Sequence, residues 1–93
     1  MCRVVVPAAL RTFTDGVAAV PVEHPDGAEL SAVLDALGER CPALIRRIRD
    51  EQGELRRFVN VYVDGEDVRR QAGLATPVRG QAEVLIVPSV AGG

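Results

Sequence analysis

The sequence contains no lysine and no tryptophan, and all eleven of its basic residues are arginine. Without lysine, the chain cannot form a lysine Schiff base or use a lysine as a general base. Its soft ligands are one histidine (His24) and two cysteines (Cys2 and Cys41), fewer than the four that a structural zinc site usually needs. We expect His24 to be an exposed loop residue and both cysteines to be reduced, without a disulfide, and either packed or partly exposed.

Long apolar segments and a strong charge of either sign are also missing. No hydrophobic run approaches the roughly 18–20 residues that cross a bilayer, and the N-terminus lacks the order of regions found in a signal peptide. The formal net charge of −2 disfavours binding that depends on neutralising phosphates. The sequence therefore predicts a cytoplasmic protein without membrane or nucleic-acid partners.

The motifs of common catalytic sites are absent as well. The patterns GxGxxG, GxxxxGK[ST], HExxH, GxSxG and CxxC do not occur. A chain of 93 residues builds one small core and has little volume left for a deep pocket. We therefore expect a protein that presents a surface and is not an enzyme. The arginines between Arg40 and Arg57 are either a solvated face or an electrostatic docking patch.

Short β-branched runs predict a sheet. Asp64-Gly65 is typical of a type I′ hairpin turn, and the continuous apolar run Val84–Val87 is typical of a central strand buried on both faces. The first and last strands are the most apolar, which favours adjacent, central and parallel positions for them. The predicted strands are Arg3–Val6, Val17–Val22, Phe58–Val63, Glu66–Arg69 and Val84–Val87.

Two helices are predicted between the second and third strands. Asp26 stands three residues before Glu29, the spacing of a capping box at a helix start, and Gly38 should end that helix. Its apolar stripe consists of Leu30, Val33, Leu34 and Leu37. Pro42 suits the first turn of a shorter helix. We expect this second helix to bury Leu44, Ile45 and Ile48 and to expose Arg46, Arg47 and Arg49.

This order of elements predicts an α+β roll, in which a mixed sheet of four to five strands packs on one main helix and a short second helix. Alternation along the third strand directs Val59, Val61 and Val63 toward the helix. The outer face then carries Phe58, Asn60 and Tyr62. We interpret this outer face as a partner-binding surface, with a partly covered sheet face as the alternative.

The chain finishes in a short tail of small residues. We assign residues 1–87 to the folded domain and residues 88–93 to an extended tail that ends in diglycine. Fully extended, six residues reach roughly 20 Å, far enough to enter another protein's active site. Because glycine has no side chain, a channel that admits only backbone would accept Gly92 and Gly93. The group delivered there would be the α-carboxylate of Gly93.

Three segments resemble the ubiquitin-like sulfur carriers of the ThiS/MoaD family, which have a β-grasp fold. They are the ending Val90-Ala91-Gly92-Gly93, the block Phe58–Arg69, and Leu74–Val78 with Gly80. The resemblance covers essentially the whole chain and is closest to the carriers of the cysteine pathway, which share the Phe-Val-Asn-x-Tyr-Val stretch. It implies that residues 1–87 form a β-grasp domain.

The resemblance also implies a function. An E1-like adenylating enzyme of the MoeB/ThiF type would use ATP to activate the Gly93 carboxylate, which a sulfur donor converts to a thiocarboxylate. The acceptor would be a pyridoxal-phosphate-dependent cysteine synthase or a thiosugar synthase, with a metallopeptidase releasing the cysteine in the first case. In these partners Gly92 would give passage through the channel, and Val90 and Ala91 would help to seat the tail. The carrier itself would bind no cofactor, and we expect that no residues need to be removed after Gly93.

Three alternatives remain open at this point. The chain could be the small subunit of molybdopterin synthase, a ubiquitin-like protein modifier that forms isopeptide bonds, or an inert β-grasp module. All but the last use the same terminus, so the tail cannot separate them.

Overall fold

A computed structural model describes residues 1–88 of the protein. Its sheet strands are β1 (Cys2–Val5), β2 (Ala19–Val22), β3 (Ala28–Glu29), β4 (Val59–Val63), β5 (Glu66–Asp67), β6 (Pro77–Val78) and β7 (Glu83–Pro88). The α-helices are α1 (Leu30–Arg40) and α2 (Pro42–Ile48), and short 3-10 helices cover Ala8–Thr14, Val68–Arg70 and Gly73–Ala75.

The main sheet is mixed and has the strand order β2-β1-β7-β4-β5. β7 lies at its centre, parallel to β1 and antiparallel to β4. β1 and β2 form the antiparallel opening hairpin that the sequence predicts. The expected parallel, adjacent arrangement of the first and last strands is confirmed, as is the β-grasp roll of one mixed sheet on a main helix.

One hydrophobic core joins the helices to one face of the sheet. The α1 stripe Leu30, Val33, Leu34 and Leu37 is fully buried, as the 3.6-residue periodicity predicts. The three valines of β4 are buried against it, while Asn60 and Tyr62 on the other face are half-exposed. Within residues 1–88, no helix is long and apolar enough to cross a membrane.

Both predicted boundaries of the main helix are wrong. Helix α1 continues through Gly38 to Arg40. A Cβ at Gly38 would lie 3.3 Å from a methyl carbon of Ile45, so glycine here allows α2 to pack closely instead of ending α1. At the start, Asp26 does not cap the helix, because its carboxylate accepts a hydrogen bond from the Gly80 amide at 2.8 Å.

The predicted strands also differ from the structure in detail. Val84 and Ile86 are buried, but Leu85 and Val87 are only half-buried, so the run Val84–Val87 is not buried on both faces. The returning strand Glu66–Arg69 is reduced to β5, because the chain turns into a 3-10 helix at Val68. Between β1 and β2, the structure inserts the 3-10 helix Ala8–Thr14, which no pattern in the sequence predicted.

Two further expectations concern single residues. The hairpin turn before β5 is confirmed, with φ of 50° at Asp64 and 86° at Gly65. Arg49 was expected in water, but its side chain is only 17% exposed and pairs with Asp35 at 2.7 Å. Arg49 also donates to the Gly53 carbonyl, so it closes the loop after α2 instead of facing solvent.

Candidate functional site

The predicted tail residues Val90, Ala91, Gly92 and Gly93 lie outside the described part of the chain. The structure does describe the strand from which they continue. β1 pairs with β7 as far as Leu85, and β4 pairs with β7 as far as Pro88, which lies opposite Val59. The residues after Pro88 therefore leave from the central strand of the sheet, where main-chain pairing fixes the position and direction of the chain.

The predicted docking residues do not form one cluster. Asn60 and Tyr62 share the outer face of β4, as expected. Phe58 precedes the strand in a turn that the Val59 amide closes by donating to the Arg56 carbonyl. The strict alternation that begins at Val59 therefore does not extend to Phe58, which is 47% exposed beside helix α2.

The outer sheet face has an apolar centre. Register places Asn60 opposite Val87 and Tyr62 opposite Leu85, and β1 adds Val5 beside Leu85. All five residues are half-buried. We call Val5, Asn60, Tyr62, Leu85 and Val87 the open face. A half-exposed apolar centre beside polar residues is typical of a protein-binding surface.

Sequence reasoning missed three of these five residues. Leu85 and Val87 belong to a run that was predicted to be buried on both faces, and for Val5 only a place in the central first strand was predicted. The information that was missing is the pairing of β7 with β4. Because no element covers the outer face of β4, the residues of β7 on that same face are also left partly exposed.

Asn60 belongs to an internal clamp. The guanidinium of Arg69 donates one hydrogen bond to Asn60 Oδ1 and another, of 2.9 Å, to the Arg56 carbonyl. This fork joins the 3-10 helix after β5 to the turn that carries Phe58. The planar geometry of arginine suits such a two-pronged contact.

We expect the substitution Arg69→Ala to lower the free energy of unfolding by about 1–2 kcal/mol, because two hydrogen bonds from a charged donor are lost. It should also speed amide hydrogen exchange around Arg56 and Phe58. Urea unfolding and exchange measured by NMR check this result. Arg70→Ala is the matched control, since Arg70 is the exposed neighbour and its side chain makes no hydrogen bond within residues 1–88. Equal effects of the two substitutions would contradict the clamp.

A second surface lies beside the end of β7. We call it the arginine groove and define it by Phe13, Phe58, Arg46, Arg47, Arg56 and Arg57; Pro88 also lines it. The guanidinium of Arg47 lies 4.8 Å from the ring centre of Phe13, and that of Arg57 lies 5.8 Å from that of Phe58. Both distances are within the range of cation–π contacts.

The remaining titratable groups do not assemble into a site. Within residues 1–88, no cluster of His, Cys, Asp and Glu has the arrangement of a metal centre. His24 is half-buried, contrary to expectation; its Nδ1 donates to the Pro25 carbonyl, and its Nε2 is buried without a hydrogen-bond partner among residues 1–88. Burial raises the pKa of the Cys2 thiol, whereas Cys41 lies half-buried between the helices.

We expect iodoacetamide to alkylate Cys41 and to leave Cys2 unmodified in the native protein. The reactive species is the thiolate, and burial both shields Cys2 and disfavours its ionised form. Intact mass followed by peptide mapping measures the two sites. Both should react in denaturant, and modification of native Cys2 at the rate of Cys41 would show that β1 opens readily.

The model of the ThiS family matches residues 4–93 of this chain. The sulfur carrier protein CysO of Mycobacterium tuberculosis is 40% identical over 90 residues, which span 95% of this chain and 94% of the relative. Among solved structures, the Amycolatopsis orientalis BexX/CysO complex contains a chain with a TM-score of 0.88 and 36% identity over the full length of both chains. SAMP1 of Haloferax volcanii has a TM-score of 0.82 and 30% identity, covering 99% of this chain and 98% of its own.

Proposed function

Since this chain belongs to the ThiS family, we propose that it is a sulfur carrier whose Gly93 carboxylate is activated and converted to a thiocarboxylate. The observation that carries the proposal is the extent of the family match, which runs through the diglycine to residue 93. The similarity to a curated sulfur carrier over nearly the whole length of both chains supports it. The protein is then the substrate of partner enzymes and not an enzyme itself.

The chemistry proposed for Gly93 has two steps. A carboxylate is a poor acyl donor because its oxygen is a poor leaving group. An E1-like enzyme therefore transfers AMP from ATP to the carboxylate, and pyrophosphate leaves. A sulfur donor then attacks the acyl carbon and displaces AMP, which leaves one oxygen of Gly93 replaced by sulfur. ATP serves the activating enzyme, and the carrier contributes the acyl group.

The fold supports delivery of this group. β7 is held on both sides up to Leu85 and by β4 up to Pro88, so the tail starts from a rigid base. From there, five residues span at most about 17–18 Å. The two terminal glycines add no side chains, so they suit a channel shaped around backbone alone. Val90 and Ala91 would seat the tail at the entrance, and the open face would bind the enzyme's surface.

The acceptor of the sulfur is an enzyme that supplies an electrophile to the thiocarboxylate. A pyridoxal-phosphate-dependent cysteine synthase or a thiosugar synthase fits this role, and a metallopeptidase would release cysteine in the first case. That a solved CysO structure is a complex with BexX supports the docking of such carriers on partner proteins. All cofactors in these steps belong to the partners.

A second candidate function is protein modification. The structural similarity to SAMP1, a small archaeal modifier protein, favours it. The same adenylate would then be attacked by an amine of another protein, and an isopeptide bond would form in place of the thiocarboxylate. Because this chain has no lysine, it cannot form polymers linked through its own ε-amino groups.

One experiment separates the two functions. The purified protein is incubated with ATP, sulfide and an extract of its host, and its intact mass is then measured. Replacement of one oxygen by sulfur, dependent on ATP, supports the carrier. Covalent attachment to other proteins supports the modifier. Neither product in an extract that activates another member of the family would overturn both.

A further inference from the structure

The arginine groove concentrates positive charge in a protein whose net charge is −2. Arg46, Arg47, Arg56 and Arg57 all line it and are all exposed. Among residues 1–88, the two ion pairs are Arg3–Glu83 and Arg49–Asp35, so none of the four groove arginines is neutralised by a neighbouring carboxylate. This local excess of unpaired guanidinium groups requires an explanation beyond solubility.

The acidic side chain beside these arginines in the groove has another role. Asp50 also lines the groove, but its Oδ1 accepts hydrogen bonds from the backbone amides of Gln52 and Glu54 at 2.9 and 3.0 Å. It therefore holds the turn after α2. Four arginines facing one engaged aspartate leave the groove strongly cationic.

Three of the arginines are held in place. Arg47 and Arg57 lie over the rings of Phe13 and Phe58, and Arg56 Nε donates to the Arg46 carbonyl at 2.8 Å. The Arg69 clamp fixes the turn between Arg56 and Phe58 from the other side. Side chains that are already ordered lose less entropy when they bind, so this groove is prepared for a ligand.

The lining of the groove defines the ligand. Guanidinium groups pair with carboxylates through two parallel hydrogen bonds. Both phenylalanines of the chain also line the groove, which suits an aromatic or aliphatic anchor between the carboxylates. A nucleic acid is a less suitable ligand, because the net charge of the protein is negative and the groove offers only four clustered cations to the phosphates. An acidic peptide segment with an aromatic anchor meets both features of the groove.

The position of the groove identifies the protein that carries this segment. Pro88 lines the groove, and the residues that follow it in sequence are those an activating enzyme must take up. An enzyme that holds the tail therefore lies against the groove. We propose that the arginine groove docks an acidic segment with an aromatic anchor, carried by the enzyme that takes up the tail. This inference rests on the proposed function for the identity of the partner.

The ligand chemistry is tested first with a synthetic probe, the peptide Gly-Glu-Glu-Phe-Glu-Glu-Gly, titrated into the full-length, ¹⁵N-labelled protein. We expect saturable shifts of the arginine Nε–H signals and of the Phe58 amide. The double variant Arg46→Glu/Arg57→Glu should bind the peptide about tenfold more weakly than the control variant Arg70→Glu/Arg79→Glu. The two variants have the same net charge, but the substitutions of the control lie outside the groove. Equal weakening in both variants, or equal binding of a peptide with glutamine in place of glutamate, would overturn the inference.

The partner is tested with the E1-like enzyme of the same host, by measuring ATP-dependent thiocarboxylate formation against carrier concentration. For the groove variant we expect a KM about tenfold higher and a smaller change in kcat, and the wild-type KM should rise between about 50 and 300 mM salt. A KM equal to that of the control variant would overturn the docking role. A wild-type protein that binds the peptide but is never adenylated would overturn the proposed function and not the ligand chemistry. Tighter binding of a single-stranded oligonucleotide than of the peptide would overturn the assignment to an acidic segment.

Discussion

Deletion of Gly93 is expected to lower the rate of thiocarboxylate formation by at least about a hundredfold while leaving the fold intact. Shortening the tail by one residue withdraws the terminal carboxylate by about 3.5 Å. Displacing a reacting group by only about 1 Å can cost a hundredfold in rate. The measurement is intact mass against time with ATP, sulfide and the activating enzyme.

The control for this deletion is stability. Gly93 lies outside the described fold, whose last strand ends at Pro88. We therefore expect an unchanged midpoint of urea unfolding. Gly92→Val tests the narrow-channel argument at full tail length, and it should slow the reaction through its side chain alone. Normal sulfur loading of the deletion variant would show that another group carries the sulfur.

Leu34→Ala is expected to lower the free energy of unfolding by about 3–4 kcal/mol. Leu34 is fully buried in the middle of the α1 stripe, so truncation removes transfer free energy and leaves a cavity. A 93-residue domain has a total stability of about 5–14 kcal/mol, so this single change removes a large share of it. Urea unfolding followed by circular dichroism measures the loss.

Two variants frame this result. Leu34→Met keeps the volume and should cost less than about 1.5 kcal/mol. Leu85→Ala makes the same truncation on the half-buried open face and should cost about 1 kcal/mol. If Leu34→Ala and Leu85→Ala were equally destabilising, the assignment of core and open face would be wrong.

Sequence periodicity predicted the elements that are decided locally. The α1 stripe and the alternation in β4 follow from repeats of 3.6 and 2 residues, and Asp64-Gly65 follows from a turn that needs positive φ at both positions. These features require no knowledge of distant residues. The adjacent, parallel and central placement of the first and last strands was also predicted, because continuous apolar runs favour central positions, but the places of the other strands were not.

The errors arise where tertiary contacts override local preference. Glycine is the residue type expected at a helix end, yet Gly38 lies inside α1, where the absence of a side chain lets Ile45 pack closely against the helix. Asp26 has the spacing of a cap, yet its carboxylate holds the Gly80 amide 54 residues away. Leu85 is apolar but half-exposed, because β7 shares the bare face of β4. None of these partners can be identified from nearby sequence.

The arginine groove illustrates the same limit. The sequence indicated a cluster of arginines between Arg40 and Arg57 and predicted exposure for Arg46, Arg47 and Arg49, which is wrong for Arg49. In the structure, Arg49 is used internally, and Arg40 donates to the Pro21 carbonyl. The other four converge on one groove because α2 and the turn before β4 lie side by side. Only the fold separates structural arginines from those available to a partner.

The central position of β7 also governs how the chain folds. Val4 and Val84 are 80 positions apart in sequence, yet they pair at the middle of the sheet. Closing a loop of this length costs about 4 kcal/mol of entropy before the pairing is gained. The β1–β2 hairpin and the helix pair can form from local contacts. The sheet is complete only when β7, its central strand, pairs with both β1 and β4. Folding should therefore be slow for a chain of this size. A partly folded chain lacks β7 in its place, so it would offer the proposed activating enzyme neither the rigid base of the tail nor the complete open face.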